Sequence, residues 1–304
     1  MSLFVNHVGI NLTVKKLQLV EIDFNEGRFL IENIDEKPFF SVFDFSAPEK
    51  DFTNILQESF EKITAKSSLK SDIVSFTLPD SLFYSAEIPI DKNLTSEDIN
   101  NFIKWEFTKL FPFENAEDFV FDKFETGSGS ENSRTIIFFA LKKIIIKKLH
   151  KFCSRNNLVL KYVDNAHIAS NRIAQTLIKN SGEFLSIYLN NQTISLILSR
   201  NNIPVIYRKI SIDSSEDLIH LAKNLVEKLS SKIKLPYNTP EIVLFTSEDD
   251  FNLIGDLEVA LDKKVISINP FINFEISPKL KNDPLLTGQP VLFSSPTAIA
   301  MRII

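Results

Sequence analysis

The sequence predicts an α/β protein with a duplicated core, and three observations carry that reading. Two separate groups of three strand-like runs occur: Phe4–Leu12, Leu17–Phe24 and Arg28–Asn33 near the start, then Phe184–Leu189, Thr193–Ser199 and Pro204–Ile210. Each group is followed by amphipathic helices that alternate with further strands. Of the 304 residues, 44% are hydrophobic and 27 are Phe, enough to fill a large core. The repeat is one of architecture, without clear sequence self-similarity.

In the first group, Asn25–Glu26–Gly27 supplies the turn between the second and third runs. A fourth strand is expected near Phe39–Phe45. Pro48 opens a helix to about Ala65, with Phe52, Ile55, Leu56, Phe60 and Ile63 on one face. Strands Ile73–Leu78 and Leu82–Ile90 come next. Thr95 caps a helix that ends at Phe111 before Pro112, with Asp98 placed as in a capping box. Strands Asp118–Glu125 and Arg134–Leu141 flank a loop holding Gly127, Ser128, Gly129 and Ser130. A helix over Lys142–Asn156 and a strand over Val159–Val163 follow. This β-α-β-β-α-β order predicts a small sheet with helices on one side. Asn165 starts a helix to Lys179. After the second group come a helix (Glu216–Lys232), a strand (Ile242–Phe245), a helix (Phe251–Leu261), a strand (Lys264–Ile268) and a short helix near Thr297–Arg302.

Composition excludes several function classes. A net charge of −5 gives no field for nucleic acid. The single cysteine, Cys153, cannot form an internal disulfide and fits a reducing compartment. No apolar run reaches the ~18 residues of a spanning helix. Met1 to Val20, interrupted by Asn6, His7, Asn11, Lys15 and Lys16, lack the apolar block of a signal peptide. A soluble cytoplasmic protein is expected.

Seven glycines is about a third of the usual frequency. Phosphate-cradling loops use glycine for positive φ and close backbone approach. The sequence has no G-x-x-x-x-G-K, G-x-G-x-x-G, D-x-G, G-x-S-x-G or H-E-x-x-H. His7, His150, His167 and His220 are widely separated and read as surface or packed residues. Trp105, the only tryptophan, lies about 120° from the apolar stripe of its helix. Packing against the strand near Phe121 is expected for it, with an exposed anchor as the alternative. Glu106 falls within the stripe and requires a hydrogen bond or a basic partner. Lys142, Lys143, Lys147, Lys148, Lys151 and Arg155 make a basic amphipathic helix, expected as a solvated face. Docking on anionic lipid is the alternative.

Several segments in order resemble the type IV pilus assembly protein PilM family, relatives of FtsA in the actin and sugar-kinase superfamily. They are Gly9–Thr13 through Val20–Glu21–Ile22, Ile103–Glu106 through Leu110–Phe113 with Asp122, and Leu149–Leu158 closing at Val163–Asp164. Leu185–Ile210 with Arg200, Pro204 and Arg208, Val265 to Asn269–Phe271, and Ala298–Arg302 complete the set. The resemblance implies an actin-like (ribonuclease H-like) duplicated fold of two lobes. It implies a first lobe over 1–72, an inserted small α/β subdomain over 73–164, and the rest over 165–304. It also implies a cytoplasmic ring at the inner membrane that binds the N-terminal peptide of a PilN-like protein between first lobe and insert.

The departures from that family concern its nucleotide site. Its two acid–glycine phosphate turns fall at Asn11, Leu12 and Thr13, and at Tyr188, Asn190 and Asn191; its lysine falls at Gln18. Thr246–Ser247–Glu248 stands for its adenosine-side glycines, and Asp213–Ser214 lies near its other glycine pair. Only about thirty residues separate Ile210 from Glu241, so the second-lobe insert is reduced. No carboxylate remains in either turn to hold Mg²⁺. Tyr188 is expected at the mouth of the cleft, with Glu248, Asp249 and Asp250 repelling phosphate. The expectation is a non-catalytic assembly factor with no cofactor and no metal; the alternative is a divergent ATPase or sugar kinase.

Overall fold

The computed structural model describes residues 6–25, 27–126, 133–178, 183–190, 193–212, 218–232, 241–247 and 253–303. The chain opens with β1 (His7–Leu12), β2 (Lys16–Asn25) and β3 (Arg28–Pro38), then α1 (Glu49–Lys66) and β4 (Ile73–Leu78). A detour follows through β5 (Phe83–Asp91), α2 (Ser96–Leu110), β6 (Phe119–Glu125) and β7 (Ser133–Lys142). The chain returns by α3 (Lys143–Arg155), β8 (Val159–Asn165) and α4 (Ala166–Leu177). The second half runs β9 (Glu183–Leu189), β10 (Thr193–Arg200), β11 (Ile203–Ser211), α5 (Leu218–Lys232), β12 (Glu241–Thr246), α6 (Leu253–Leu261) and β13 (Val265–Ser267). It ends with β14 (Glu275–Ile276), α7 (Pro284–Thr287) and α8 (Ser294–Ala300).

The two large sheets have the same plan. The first is ordered β14-β3-β2-β1-β4-β8 and the second β11-β10-β9-β12-β13. Apart from the added edge strand β14, each has an antiparallel meander whose first strand pairs parallel with the next strand of its lobe. A third sheet, β5-β7-β6, carries α2. The capping box predicted at Thr95 and Asp98 is present. Pro89 and Pro204 lie on β5 and β11, both outer strands, where a missing N–H costs no ladder bond.

Strand alternation sorts the cores. Val8, Ile10 and Leu12 of β1 pack under α1 and α3 with Phe52, Leu56, Leu149 and Phe152. Leu185, Ile187 and Leu189 of β9 pack under α5 and α6. The opposite faces meet helices that have crossed over. α4 follows the first sheet but packs Ala166, Ala169, Ile173 and Ala174 on Phe184, Tyr188, Val243 and Phe245 of the second. α8 follows the second sheet but lies on β1, so closely that a Cβ on Gly9 would come 1.9 Å from the Pro296 carbonyl oxygen. Small residues let α4 and α8 touch: Ser170 Oγ and Ser295 Oγ are 2.8 Å apart, and Ser295 donates to the Ala166 carbonyl.

Three expectations need correction. β4 and β8 belong to the large sheet, so the inserted unit expected over 73–164 narrows to Phe83–Lys142. The residues of that stretch divide between two cores. Ile103 sits with Phe107, Phe119 and Phe138 inside the insert, with Phe102 packed against it, whereas Ile137, Phe139, Ile145 and Leu149 join the first-lobe core. The reason is that β7 buries alternate residues on two sides. No strand forms over Phe39–Phe45. β3 runs on to Pro38, and Phe39, Phe43 and Phe45 then turn inward while their loop bonds to the carbonyls of Lys15 and Val14. The last helix starts earlier than expected, at Ser294.

Candidate functional site

The β1–β2 turn is closed by its own side chain. Thr13 Oγ1 accepts from the amides of Lys15 (3.1 Å) and Lys16 (2.9 Å), and the Thr13 amide donates to the Lys16 carbonyl. Leu12 points into the first-lobe core. Asn11 is buried; its Nδ2 donates to Gln18 Oε1 at 2.9 Å and its Oδ1 accepts from Thr77 Oγ1 at 2.9 Å. Gln18 continues the chain by donating to Glu36 Oε2 (3.0 Å), which Lys16 Nζ also meets at 3.0 Å. The Glu36 carboxylate is thus neutralised by the protein's own lysine.

The matching turn of the second lobe is closed in a similar way. Asn190 Oδ1 accepts from the Thr193 amide (2.9 Å), and its Nδ2 donates to Thr193 Oγ1 (2.8 Å). Tyr188 occupies the strand position that Asn11 holds in the first lobe, the last but one of its strand. It does not stand at the cleft mouth, as expected. At 3% exposure it is core, with Val243, Phe245 and α4 around it and the His167 ring 5.5 Å away. Thr246 and Ser247 are buried. Asn191, Asp213, Ser214, Glu248, Asp249 and Asp250 lie outside the described residues.

Between the lobes lies a buried polar network that the sequence did not disclose. Asp80, just after β4, accepts through Oδ2 from Ser195 of β10 and from the Tyr207 hydroxyl (3.3 Å). His167 Nδ1 lies 2.7 Å from Ser195 Oγ and its Nε2 lies 2.9 Å from Ser186 Oγ. Burial pulls the His167 pKa down to about 3 and raises that of Asp80. Lys209, whose pKa burial lowers, donates to the Asp80 carbonyl. A serine, a histidine and an aspartate meet here, yet the aspartate bonds to the serine and not to the imidazole, and all three are fully buried. That arrangement ties the lobes together, and no solvent reaches it. Asp80 and Ser195 are 115 positions apart, and no spacing rule links them.

A groove opens between the insert and the first lobe. Phe124, Phe139 and Leu141 form one wall and Ile146, Val163 and Ile168 the other. Val120 and Asp122 stand exposed at its rim on β6. Asp164 marks one end, fixed by Arg172 (2.6 Å) and Arg302 (3.0 Å). β6 is an outer strand of its sheet.

Other singled-out residues are structural. Trp105 does not pack on Phe121; it is 53% exposed, tilted against Phe102, with Lys109 Nζ 3.0 Å from its ring centre. Glu106 meets Lys109 at 3.6 Å, the basic partner expected for it. The basic row of α3 is partly consumed: Lys148 is buried and caps the Phe45 and Ala47 carbonyls, Lys143 donates to the Glu117 carbonyl, and Lys151 pairs with Glu49. His7, buried and bonded to the Ala300 carbonyl and Ser75, is packed; burial pulls its pKa down to about 4. Among the described residues, no helix is long and apolar enough to cross a membrane.

These two crossed lobes around a cleft define an actin-like fold, and solved structures bear this out. The chain superposes on a structure described as the PilM-PilN type IV pilus biogenesis complex with a TM-score of 0.78 at 15% identity, over 100% of this chain and 99% of that one. A Bacteroides thetaiotaomicron protein described as having an actin-like ATPase fold matches at TM-score 0.53 and 12% identity, over 88% and 92%. The cytoplasmic domain of EpsL, an inner-membrane component of the Vibrio cholerae type II secretion system, matches at 0.50 and 10%, over 97% and 94%. No family model and no curated protein sequence matches the chain.

Proposed function

We propose that this protein is a non-catalytic assembly factor of a type IV pilus or related secretion machine. In this reading it binds the N-terminal cytoplasmic peptide of a PilN-like inner-membrane protein in the groove between insert and first lobe. The observation that carries the reading is the end-to-end match to a structure described as a PilM–PilN complex. The site chemistry agrees with it. The phosphate turns are bonded to themselves through Thr13 and Asn190, while the groove is a small cavity of about 60 Å³ beside an outer strand, β6, whose Val120 and Asp122 are exposed. An extended peptide would gain affinity there from backbone pairing along β6 and from pockets for alternate side chains. A ring at the inner membrane, and a peripheral membrane location, belong to the same proposal.

The alternative, a divergent ATPase or sugar kinase, needs a carboxylate free to hold Mg²⁺ beside the turns. Asn11 and Tyr188 occupy those positions. The test is a titration with the N-terminal cytoplasmic peptide of the membrane protein encoded beside this one. Binding by the wild type, weakened at least about tenfold by Val120→Glu or Asp122→Lys at the exposed rim, is the expected result. No binding by the wild type would sink the partner assignment, and equal binding by both variants would move the site elsewhere.

A further inference from the structure

We propose that the second lobe sets the geometry of the groove through β11, which makes Tyr207, Arg208 and Lys209 positioning residues for the bound peptide. The inference rests on reading the groove as the partner site, and it adds a route by which the far lobe regulates that site. The insert is joined to the first lobe by two passages of chain: the turn from Pro79 into β5, and the step from β7 into α3 at Lys142. Three struts from β11 hold it on the other side. Lys209 Nζ donates to the Phe83 carbonyl at 2.6 Å and the Asp80 carbonyl at 3.0 Å, gripping the chain where it leaves β4 for β5. Arg208 Nη1 meets Glu87 Oε2 at 2.6 Å, four residues along β5. The Tyr207 ring stands edge-on to Phe139 with centroids 4.8 Å apart.

These struts bear directly on the groove. Phe139 touches Phe124 at 5.8 Å, and both rings belong to its insert wall, as does Phe83. A cleft of about 460 Å³ lies between β5 and β11, lined by Ser85, Ala86 and Arg208 among others, so the Arg208–Glu87 pair spans open space while the Tyr207–Phe139 contact is buried. The insert also shares the first-lobe core through Phe83, Ile137, Phe139 and Leu141, and the β11 struts brace that seam from the other side, so loosening them changes groove width. Lys209 also faces the Asp80 carboxylate, which itself accepts from Ser195 of β10. The same residue therefore links the insert to the interlobe network. A shift of the second lobe moves β11, and β11 moves the wall. By linkage, peptide in the groove must bias the second lobe equally.

The test uses the full chain with Arg208→Glu, Glu87→Arg, the double variant, and Lys209→Met. Hydrogen exchange is followed over Phe83–Asp91 and Ser133–Lys142 without ligand, and affinity is followed by titrating the N-terminal peptide of the neighbouring membrane protein. Arg208→Glu should speed exchange in β5 and weaken the peptide, each by roughly three- to tenfold. The double variant should restore both, with exchange in β9 and β10 unchanged throughout. Unchanged exchange in both Arg208→Glu and Lys209→Met overturns the struts. Faster exchange with unchanged affinity overturns the coupling to the groove. If the wild type binds no peptide while exchange still responds, the partner reading fails and with it the regulation, leaving only the mechanical link. Should Lys209→Met not fold, the charge-swap pair decides alone.

Discussion

The interlobe cleft and the groove beside the insert are two concave regions of one molecule, finished in opposite ways. In the cleft the described turn residues are bonded within the chain. Thr13 and Asn190 bond their own turns, Asn11 is locked between Thr77 and Gln18, and Tyr188 is core. In the groove, Phe124, Ile146 and Val163 remain partly exposed and Val120 and Asp122 stay exposed. A site without a ligand loses the reason to leave polar groups unpaired, because each unpaired buried group costs about 1–3 kcal/mol. A site with a ligand keeps them open. The contrast is the one that the proposed function predicts.

The largest expected effect tests how tightly the cleft floor is closed. Gly9→Ala puts a methyl group 1.9 Å from the Pro296 carbonyl oxygen, on a helix with no room to withdraw. A loss of about 3–5 kcal/mol in urea unfolding is expected. A change under about 0.5 kcal/mol would mean that α8 does not rest on β1.

Acid sensitivity comes next. In the folded chain His7 and His167 take up a proton only near pH 4 and pH 3, whereas unfolded imidazoles do so near 6.5. Between those values the unfolded chain holds more protons, so stability rises with pH up to about 6.5 and falls on acidification. Each histidine contributes up to about 1.4 kcal/mol per pH unit. Asp80 and Glu21, whose folded pKa values are raised by burial, act in the opposite sense, gaining stability as pH falls. His167→Gln should therefore flatten the acid slope by about one proton. An unchanged slope in urea unfolding from pH 6.5 to 4 would place the ring in contact with water.

Restoring the first-turn acid should be harmful. Asn11→Asp buries a carboxylate and removes the donor to Gln18, at a cost of about 1–3 kcal/mol by the same assay. A neutral or Mg²⁺-stabilised variant would mean the turn is still a metal site. The smallest effect is expected from Asn190→Asp, which keeps the acceptor for the Thr193 amide and is not among the residues that line the groove. Peptide affinity should change less than about twofold. A larger loss would reveal coupling between cleft and groove.

The duplicated plan was legible because it is local: strand runs, turns and caps such as Thr95–Asp98 follow period and propensity. Where the sequence misled, tertiary packing had decided. β4 and β8 read as part of the small unit because they flank it in order, yet their parallel partners are β1 and each other. The Phe39–Phe45 run reads as a strand, but Phe39, Phe43 and Phe45 all turn inward while Phe40 stays exposed. The degenerate turns were readable as substitutions, whereas their closure by Thr13 and Asn190 needed coordinates. Asp80 meets Lys209 and Ser195 more than a hundred positions away, and such pairs leave no periodic trace.

The central claim, that the cleft is filled and takes no nucleotide, is tested most directly by isothermal titration of the full chain with Mg·ATP. The account predicts no binding heat at any sub-millimolar concentration. A micromolar dissociation constant would contradict it.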